Sequence, residues 1–504
     1  MIQPQNLTAD LALRAMTEPE GEALVLPGRS ISFSELDNLT WRAAAYLHDT
    51  GVRSGHVVAT FLNDDLLVAV STLALLRLGA TVARLSSSAT PSQIESQLSQ
   101  ARVEFVVADH AMQLNASPTI IPFDEALLPI ADSRPPLATT FDAPAFLLFG
   151  SGSTGVPKVL VIPAQTVVAR CQIGEKEPFY QADARVLMLS GLQFVVPLIR
   201  MLVLIHTGGT LILKNGQKLN LVRYCGDTRP TLIQGVVMHF EQMLGAIGAT
   251  NSRLFPTLRA ARVGSSTVSA DLRERIRRHI APIVSVAYAT NECGVISELH
   301  DDGLRTIPPG SLGQPIDGVE VQIISPDGKV LGPGQIGMIK VRTPALISGY
   351  LDDPDATTAR FRDGWFETGD LGSITPDGDL IYHGRADAMM NFNGINIYPA
   401  EIENCLRQLQ DVKDLHVFAL RHKVHHDVPG CALTLKPGSQ LTEADILRFS
   451  RQHLGFKAPS LILILDELPR TTAGKLNGAE FMKLLQVEIQ KRQKAESGDP
   501  AAPK

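Results

Sequence analysis

The stretch Ala145–Ile162, "AFLLFGSGSTGVPKVLVI", admits two folds, and the choice between them decides the reading of the whole chain. Gly150, Gly152 and Gly155 spell G-x-G-x-x-G after an apolar run, and Glu175 follows about 20 residues on, the outline of a dinucleotide-binding turn. That turn needs a helix to begin at the loop, so that its N-terminus meets a pyrophosphate. Here Pro157 follows, and "KVLVIP" reads as a β-branched strand closed by Pro163. Strand, loop, strand is therefore the expected order, and a dinucleotide site is not. A P-loop also fails, because Val156 and Pro157 stand where Lys and Ser or Thr must follow the second glycine. The small and hydroxylated residues Ser151, Gly152, Ser153, Thr154 and Gly155, followed by Lys158, still suit phosphate oxygens through backbone N–H groups, hydroxyls and charge. A solvated Gly/Ser hairpin turn is the competing reading of the same residues.

The flanking pattern extends this order. "SISFSELDNLTWRAAAYLHDTG", "VVATFL" and "LLVAVSTLALLRLGA" read as strand and helix, strand, then packed helix, which predicts parallel sheets covered by helices. Phe194–Leu213, "FVVPLIRMLVLIHTGGTLIL", is apolar but interrupted by Pro197, Arg200, His206 and two glycines, so it predicts a buried helix turning into a strand and not a membrane span. Strands ending near Gly264–Ser266 and Tyr288–Glu292 place a ligand at their carboxyl ends. From "GVEVQIISPDGKVLGPGQIGMIKVR" short alternating strands with D-G and P-G turns predict a small antiparallel barrel-like subdomain. Two helices, "PAEIENCLRQLQ" and "TEADILRFSRQHL", with strands such as "LHVFALR" and "CALTLKP", predict a small α+β C-terminal domain, and "QKRQKAESGDPAAPK" a frayed polar tail. The expected division is an α/β domain over 1–386 and a second domain over 387–504.

Composition narrows the function classes. Of 504 residues, 44% are hydrophobic and 19% charged, with a formal charge of −6, which gives no electrostatic reason to expect nucleic acid. The five cysteines form no C-x-x-C pair, so a disulfide framework is not expected and a reducing, cytoplasmic setting is. The first residues do not read as a secretory signal. His422, His425 and His426 invite a zinc reading, but nothing nearby completes a ligand set, and a solvated loop is expected.

"GSGSTGVPKV" resembles the phosphate loop of the adenylate-forming superfamily, which includes acyl-CoA synthetases, luciferases and the adenylation domains of peptide synthetases. "YATNE", "GWFETGDLG", "GRADAMMNFNGINIYPAEIE" and "LPRTTAGKLN" follow in that family's order, so the resemblance spans Ser30 to Leu476. It implies two half-reactions: a carboxylate attacks the α-phosphorus of ATP to give acyl-adenylate and pyrophosphate, and a thiol or amine then takes the acyl group. It further implies that Lys475 is the catalytic lysine, bridging carboxylate and α-phosphate. Glu292, assisted by Thr154, holds Mg²⁺, for which one carboxylate plus phosphate oxygens is the preferred arrangement. Tyr288 packs on adenine, with Gly264, Ser265 and Ser266 as the other wall. Asn291 donates to a phosphate, Asp370 takes the ribose hydroxyls, and Arg385 reaches ribose or phosphate. Asp387 is the hinge about which a mobile C-terminal domain turns, and Gly394 leaves room for an incoming acceptor.

This copy departs from the pattern at Gly150, Val159, Ala289 and Asn291; Gly150, Val159 and Asn291 raise a catalytically silent nucleotide-binding or regulatory protein as an alternative, and Ala289 a reshaped acid pocket. For the acid pocket, the resemblance points to Gln193, Phe194, Val237 and Ala289. A neutral Gln193 offers no counter-ion to an α-ammonium, so an apolar acid without an amino group is expected. The expected acceptor is coenzyme A or carrier-protein pantetheine, the alternative an amine such as an amino acid.

Overall fold

The computed structural model describes residues 6–85, 90–110, 118–129, 134–138, 143–150, 158–247, 253–264, 268–392, 395–422, 426–471 and 475–497. Two large sheets carry most of it. One has seven strands, in the order Gly349–Tyr350, Lys158–Ile162, Phe146–Gly150, Thr81–Arg84, Val57–Phe61, Phe105–Ala108 and Thr119–Pro122. Its strands are parallel from Phe146–Gly150 onward, with the first two antiparallel. The other has nine, running from Gln314–Pro315 through Gly294–Asp301, Ile283–Thr290, Ala260–Gly264, Leu232–Val236, Arg185–Met188, Thr210–Leu213 and Glu22–Leu26 to Arg29–Ser32. Six neighbouring strands from Ile283–Thr290 to Glu22–Leu26 are parallel, as alternation of apolar strands and helices predicted.

The described parts of the opening stretch are two strands. Phe146–Gly150 pairs antiparallel with Lys158–Ile162, Gly150 opposite Lys158 and Phe149 opposite Val159. The next helix, Ala164–Lys176, starts only after Pro163, too late for a dinucleotide turn. Ser151, Gly152, Ser153, Thr154 and Gly155 lie outside the described residues.

Helix Asp65–Leu78 shows how the sheets are held. All fourteen of its residues are buried, as a sequence apolar on every side requires. Asp64 caps its start, the side chain accepting from the N–H groups of Leu66 and Leu67. Gly79 ends it in the left-handed conformation at φ 73°, where a Cβ would stand 2.5 Å from that of Ala138. Fully burying one leucine of this helix, such as Leu73 or Leu75, contributes about 1.5–3 kcal/mol before chain entropy is counted. Helix Val195–Thr207 and strand Thr210–Leu213 realise the buried helix-to-strand reading of the apolar run. No helix among the described residues is long and apolar enough to cross a membrane.

Beneath the nine-stranded sheet lies a buried ionic cluster. Arg262, 1% exposed, is bonded to Glu177, receives partial compensation from Glu298 at 3.3 Å, and donates to the Tyr180 hydroxyl at 3.0 Å. Arg200 takes the other oxygen of Glu177 at 3.0 Å, and Tyr180 donates to Gln234 at 2.7 Å.

A third, antiparallel sheet joins Glu320–Ile324, Gly337–Arg342, Trp365–Ile374, Phe361–Arg362 and Leu380–Arg385. A fourth begins at Met390 and joins Ile395–Ile397, Met390–Phe392, His426–Leu435, Val412–His422 and Leu461–Ile464, with helices Pro399–Leu406 and Glu443–Leu454 against it. Two expectations are corrected here. His422 and His426 pair across a hairpin instead of lying in a loop, His425 falling outside the described residues. The polar tail is helical as far as Ser497, within Gly478–Ser497, because Glu, Lys, Gln and Ala are good helix formers even without an apolar face. All five cysteines are free and buried, and no group of metal-ligating side chains occurs among the described residues.

Candidate functional site

Three of the singled-out motifs meet through one chain of hydrogen bonds. Tyr288 comes from the end of strand Ile283–Thr290, and its hydroxyl donates to Asp370 Oδ2 at 2.5 Å. Asp370 and Arg385 face each other across the hairpin Trp365–Ile374 and Leu380–Arg385, and Arg385 Nη1 donates to Asp370 Oδ1 at 3.3 Å. Arg385 also reaches the Thr368 carbonyl at 3.1 Å and both oxygens of Asp387 at 3.2 Å. Burial pushes the Asp370 carboxyl up from its usual range, against the opposing pull of Tyr288 and Arg385. Gly369, Arg385, Asp387 and Arg360 line a cavity of about 170 Å³ beside this chain.

Glu292 has a separate set of supports. Its Oε1 accepts from the Tyr350 hydroxyl at 3.1 Å, and its carbonyl accepts the Ile347 N–H at 3.0 Å. The carbonyl of neighbouring Asn291 is held by the guanidinium of Arg170 at 2.7 Å. Arg170 is buried, and burial pulls its guanidinium down to about 10. Lys158 Nζ lies 4.7 Å from the centroid of the Tyr350 ring. Tyr350 thus touches both the end of the glycine loop and the carboxylate of "YATNE". Neither Arg170 nor Tyr350 was singled out in the sequence: the first reads as one arginine in an ordinary helix, the second as packing before "LDDPD". Replacing Tyr350 by Phe removes one hydrogen bond to a charged group and is expected to slow adenylate formation about tenfold, and to raise the Mg²⁺ concentration needed. A Mg²⁺ titration of the variant that overlays the wild type would refute this role for the hydroxyl.

The remaining predicted positions are distributed as follows. Gly264 ends strand Ala260–Gly264 with open space around it, while Ser265 and Ser266 lie outside the described residues, as does Gly394. Gln193 and Phe194 follow strand Arg185–Met188, and Val237 follows the adjacent parallel strand Leu232–Val236, so they share one end of the sheet. Ala289 is exposed at the end of the strand that carries Tyr288. Lys475 is exposed in a turn closed by the Thr471 N–H donating to its carbonyl at 2.7 Å. Arg470, at the base of that turn, grips Asp414 with two bonds of 2.6 and 2.7 Å. Lys475 forms no hydrogen bond or ion pair with Glu292, Asp370 or Arg385 among the described residues.

Two family profiles match the chain. The profile described as AMP-binding enzyme matches residues 11–351, about two thirds of the chain. The chain belongs to the AMP-binding enzyme family. The profile of the AMP-binding enzyme C-terminal domain matches residues 401–475, which contain Asp414, Arg470 and Lys475. Among curated AMP-binding enzymes, 2-succinylbenzoate–CoA ligase of Geobacillus sp. (strain WCH70) is 28% identical, covering 94% of this chain and 97% of that one. Oxalate–CoA ligase of Arabidopsis thaliana is 26% identical over 91% of this chain and 94% of its own length. Among solved structures, O-succinylbenzoate coenzyme A synthetase of Bacillus subtilis, in complex with AMP, superposes with a TM-score of 0.83 at 25% identity, covering 94% of this chain and 97% of that one.

Proposed function

We propose that this AMP-binding enzyme is an ATP-dependent acid–thiol ligase, with coenzyme A as acyl acceptor. The observation that carries this reading is the convergence of Tyr288, Asp370, Arg385 and Asp387 in one bonded chain, with Glu292 held apart from it by Tyr350. In the first half-reaction a carboxylate oxygen of the acid bonds to the α-phosphorus, and the bond from that phosphorus to the bridging oxygen breaks, releasing pyrophosphate with the electron pair. In the second, a thiolate bonds to the acyl carbon and AMP departs from it, the thiol proton passing to solvent.

Asp370 offers both oxygens to the ribose hydroxyls, which replace the Tyr288 hydroxyl and compete with Arg385 there. Tyr288 then packs its ring on adenine, opposite the segment that follows Gly264. Asn291, Lys158 and the residues Ser151–Gly155 hold the phosphates. The residues fit a magnesium ion: Glu292 has one oxygen occupied by Tyr350 and the other without a partner among the described residues. Such an ion, when bound, neutralises phosphate charge during displacement. Lys475 supplies the positive charge at the reacting carboxylate. Its exposure and its lack of a bond to that chain among the described residues fit a residue carried in by rotation of a C-terminal domain over 387–504, with Asp387 as hinge.

The names of the relatives range over oxalate, 2-succinylbenzoate, feruloyl and 4-coumarate substrates, so the family fixes the chemistry but not the acid. Acid-dependent exchange of pyrophosphate into ATP tests the first half-reaction. Mass spectrometry of products made with coenzyme A, and separately with amino acids, tests the acceptor. Thioester is the expected product; amide without thioester overturns the acceptor, and ATP binding without exchange for any acid overturns the enzyme.

A further inference from the structure

Three connections and the end of strand Thr81–Arg84 interlock beside Gln193 at the carboxyl ends of strands from both large sheets, where ligands of open α/β folds collect. Asp65, 1% exposed, accepts the Leu192 N–H on Oδ1 at 2.7 Å, while its Oδ2 has no hydrogen-bond partner. Asn215 accepts the Asp65 N–H at 2.7 Å and donates to Asp64 at 2.8 Å, which pins the turn after strand Thr210–Leu213 to the start of the buried helix. Buried Arg84 clamps the Leu192 carbonyl at 2.9 Å. Lys214 therefore sits half-buried in this turn, within electrostatic reach of Asp65, yet no carboxylate among the described residues is close enough to pair with it.

His239 lies in helix Val237–Ile247, which follows the neighbouring parallel strand Leu232–Val236, within electrostatic reach of Lys214. Its Nδ1 accepts the Val236 N–H at 3.3 Å, which assigns the ring proton to Nε2. Burial, then the charge of Lys214, pulls its pKa down to about 4, so the ring is neutral at pH 7 and remains a donor through Nε2. Neither that N–H, nor the Lys214 ammonium, nor the Gln193 amide has an acceptor among the described residues. Three donors, one of them positively charged, follow three adjacent parallel strands and suit an anion with two oxygens.

We propose that Lys214, with the Nε2–H of His239 and the side-chain amide of Gln193, receives a second carboxylate of the substrate, making this chain a ligase of dicarboxylic acids. The proposal rests on the acid–ligase reading above and specifies its substrate class. Gln193 alone pointed to an apolar acid; Lys214 and His239 change the chemistry of that wall. An apolar tail leaves the donors unfilled, and an α-ammonium meets a like charge.

The test compares matched acids: succinate with butyrate, glutarate with valerate, adipate with hexanoate. Pyrophosphate exchange is measured for the wild type, Lys214→Met, Lys214→Arg and, as a control, Lys218→Met at an exposed position of the same segment. For at least one pair the diacid is expected to exceed the monoacid in kcat/KM by about 10- to 100-fold, the range of a charge-assisted hydrogen bond. That ratio is expected to fall at least tenfold in Lys214→Met, to recover in part in Lys214→Arg, and to hold in Lys218→Met. Monoacids preferred throughout, or a ratio that Lys214→Met leaves unaltered, overturns the proposal. Loss of stability with no change in ratio also overturns it, showing Lys214 to be only a counter-ion for Asp65. If no acid supports exchange, the ligase reading itself fails. Thermal shift with succinate, glutarate and adipate then reads the subsite directly: a shift abolished by Lys214→Met upholds it, and no shift rejects it.

Discussion

Replacing Lys475 by Ala is expected to slow acid-dependent pyrophosphate exchange by about 10²- to 10³-fold, the loss that follows removal of one preorganised donor from developing negative charge. The loss belongs to the first half-reaction. When preformed acyl-adenylate is supplied with coenzyme A, the variant is expected to lose far less, because the carboxylate's charge has already been neutralised by the bond to phosphorus. A merely structural lysine would depress both half-reactions together. The side chain is exposed and makes no hydrogen bond or ion pair among the described residues, so its removal leaves the Arg470–Asp414 clamp untouched. Exchange within threefold of wild type would show that Lys475 carries no such charge role.

The largest effect on stability is expected from Arg262→Met, at about 3–5 kcal/mol, the cost of breaking a buried ion cluster from one side. Glu177 keeps Arg200, but Glu298 is left buried with only Ser285 and His300. Urea denaturation measures it, and a cost below about 1 kcal/mol would mean that water or rearrangement replaces the guanidinium. Adding Glu298→Gln is expected to recover part of the loss, since it removes the stranded charge. The acid limb carries a second signature. Burial raises the Glu298 carboxyl, but Arg262, His300 and Ser285 together outweigh it and hold the group well below its usual 4.5. A depressed folded value stabilises fully above pH 4.5 and loses that contribution as the pH falls below it. This part of the acid sensitivity is expected to shrink in Arg262→Met.

Local patterns in the chain carried much of the fold. Strand-closing Pro163, the uninterrupted apolar helix Asp65–Leu78 and the D-G and P-G turns each act over a few neighbours, so their outcome could be read directly. The family resemblance pointed to Tyr288, Asp370, Arg385 and Asp387, which hydrogen bonds join in the structure. Arg170, Tyr350, Lys214 and His239 were not legible, because each works through partners distant in the chain and sits in a stretch that an ordinary helix, turn or strand end explains. The helical tail differs from the frayed polar tail that the sequence predicts because its charged and polar residues have high helix propensity.

Tyr350 has one face on Lys158 and its hydroxyl on Glu292, which makes it a thermodynamic coupler. Whatever free energy a cation at Glu292 lends to the placement of Lys158, an occupant that orders Lys158 must return to the cation in equal measure. In the proposed site, phosphates at Lys158 and a cation at Glu292 are therefore expected not to bind independently. Each sets the other's apparent constant, and a measured value for one holds only at a stated occupancy of its counterpart.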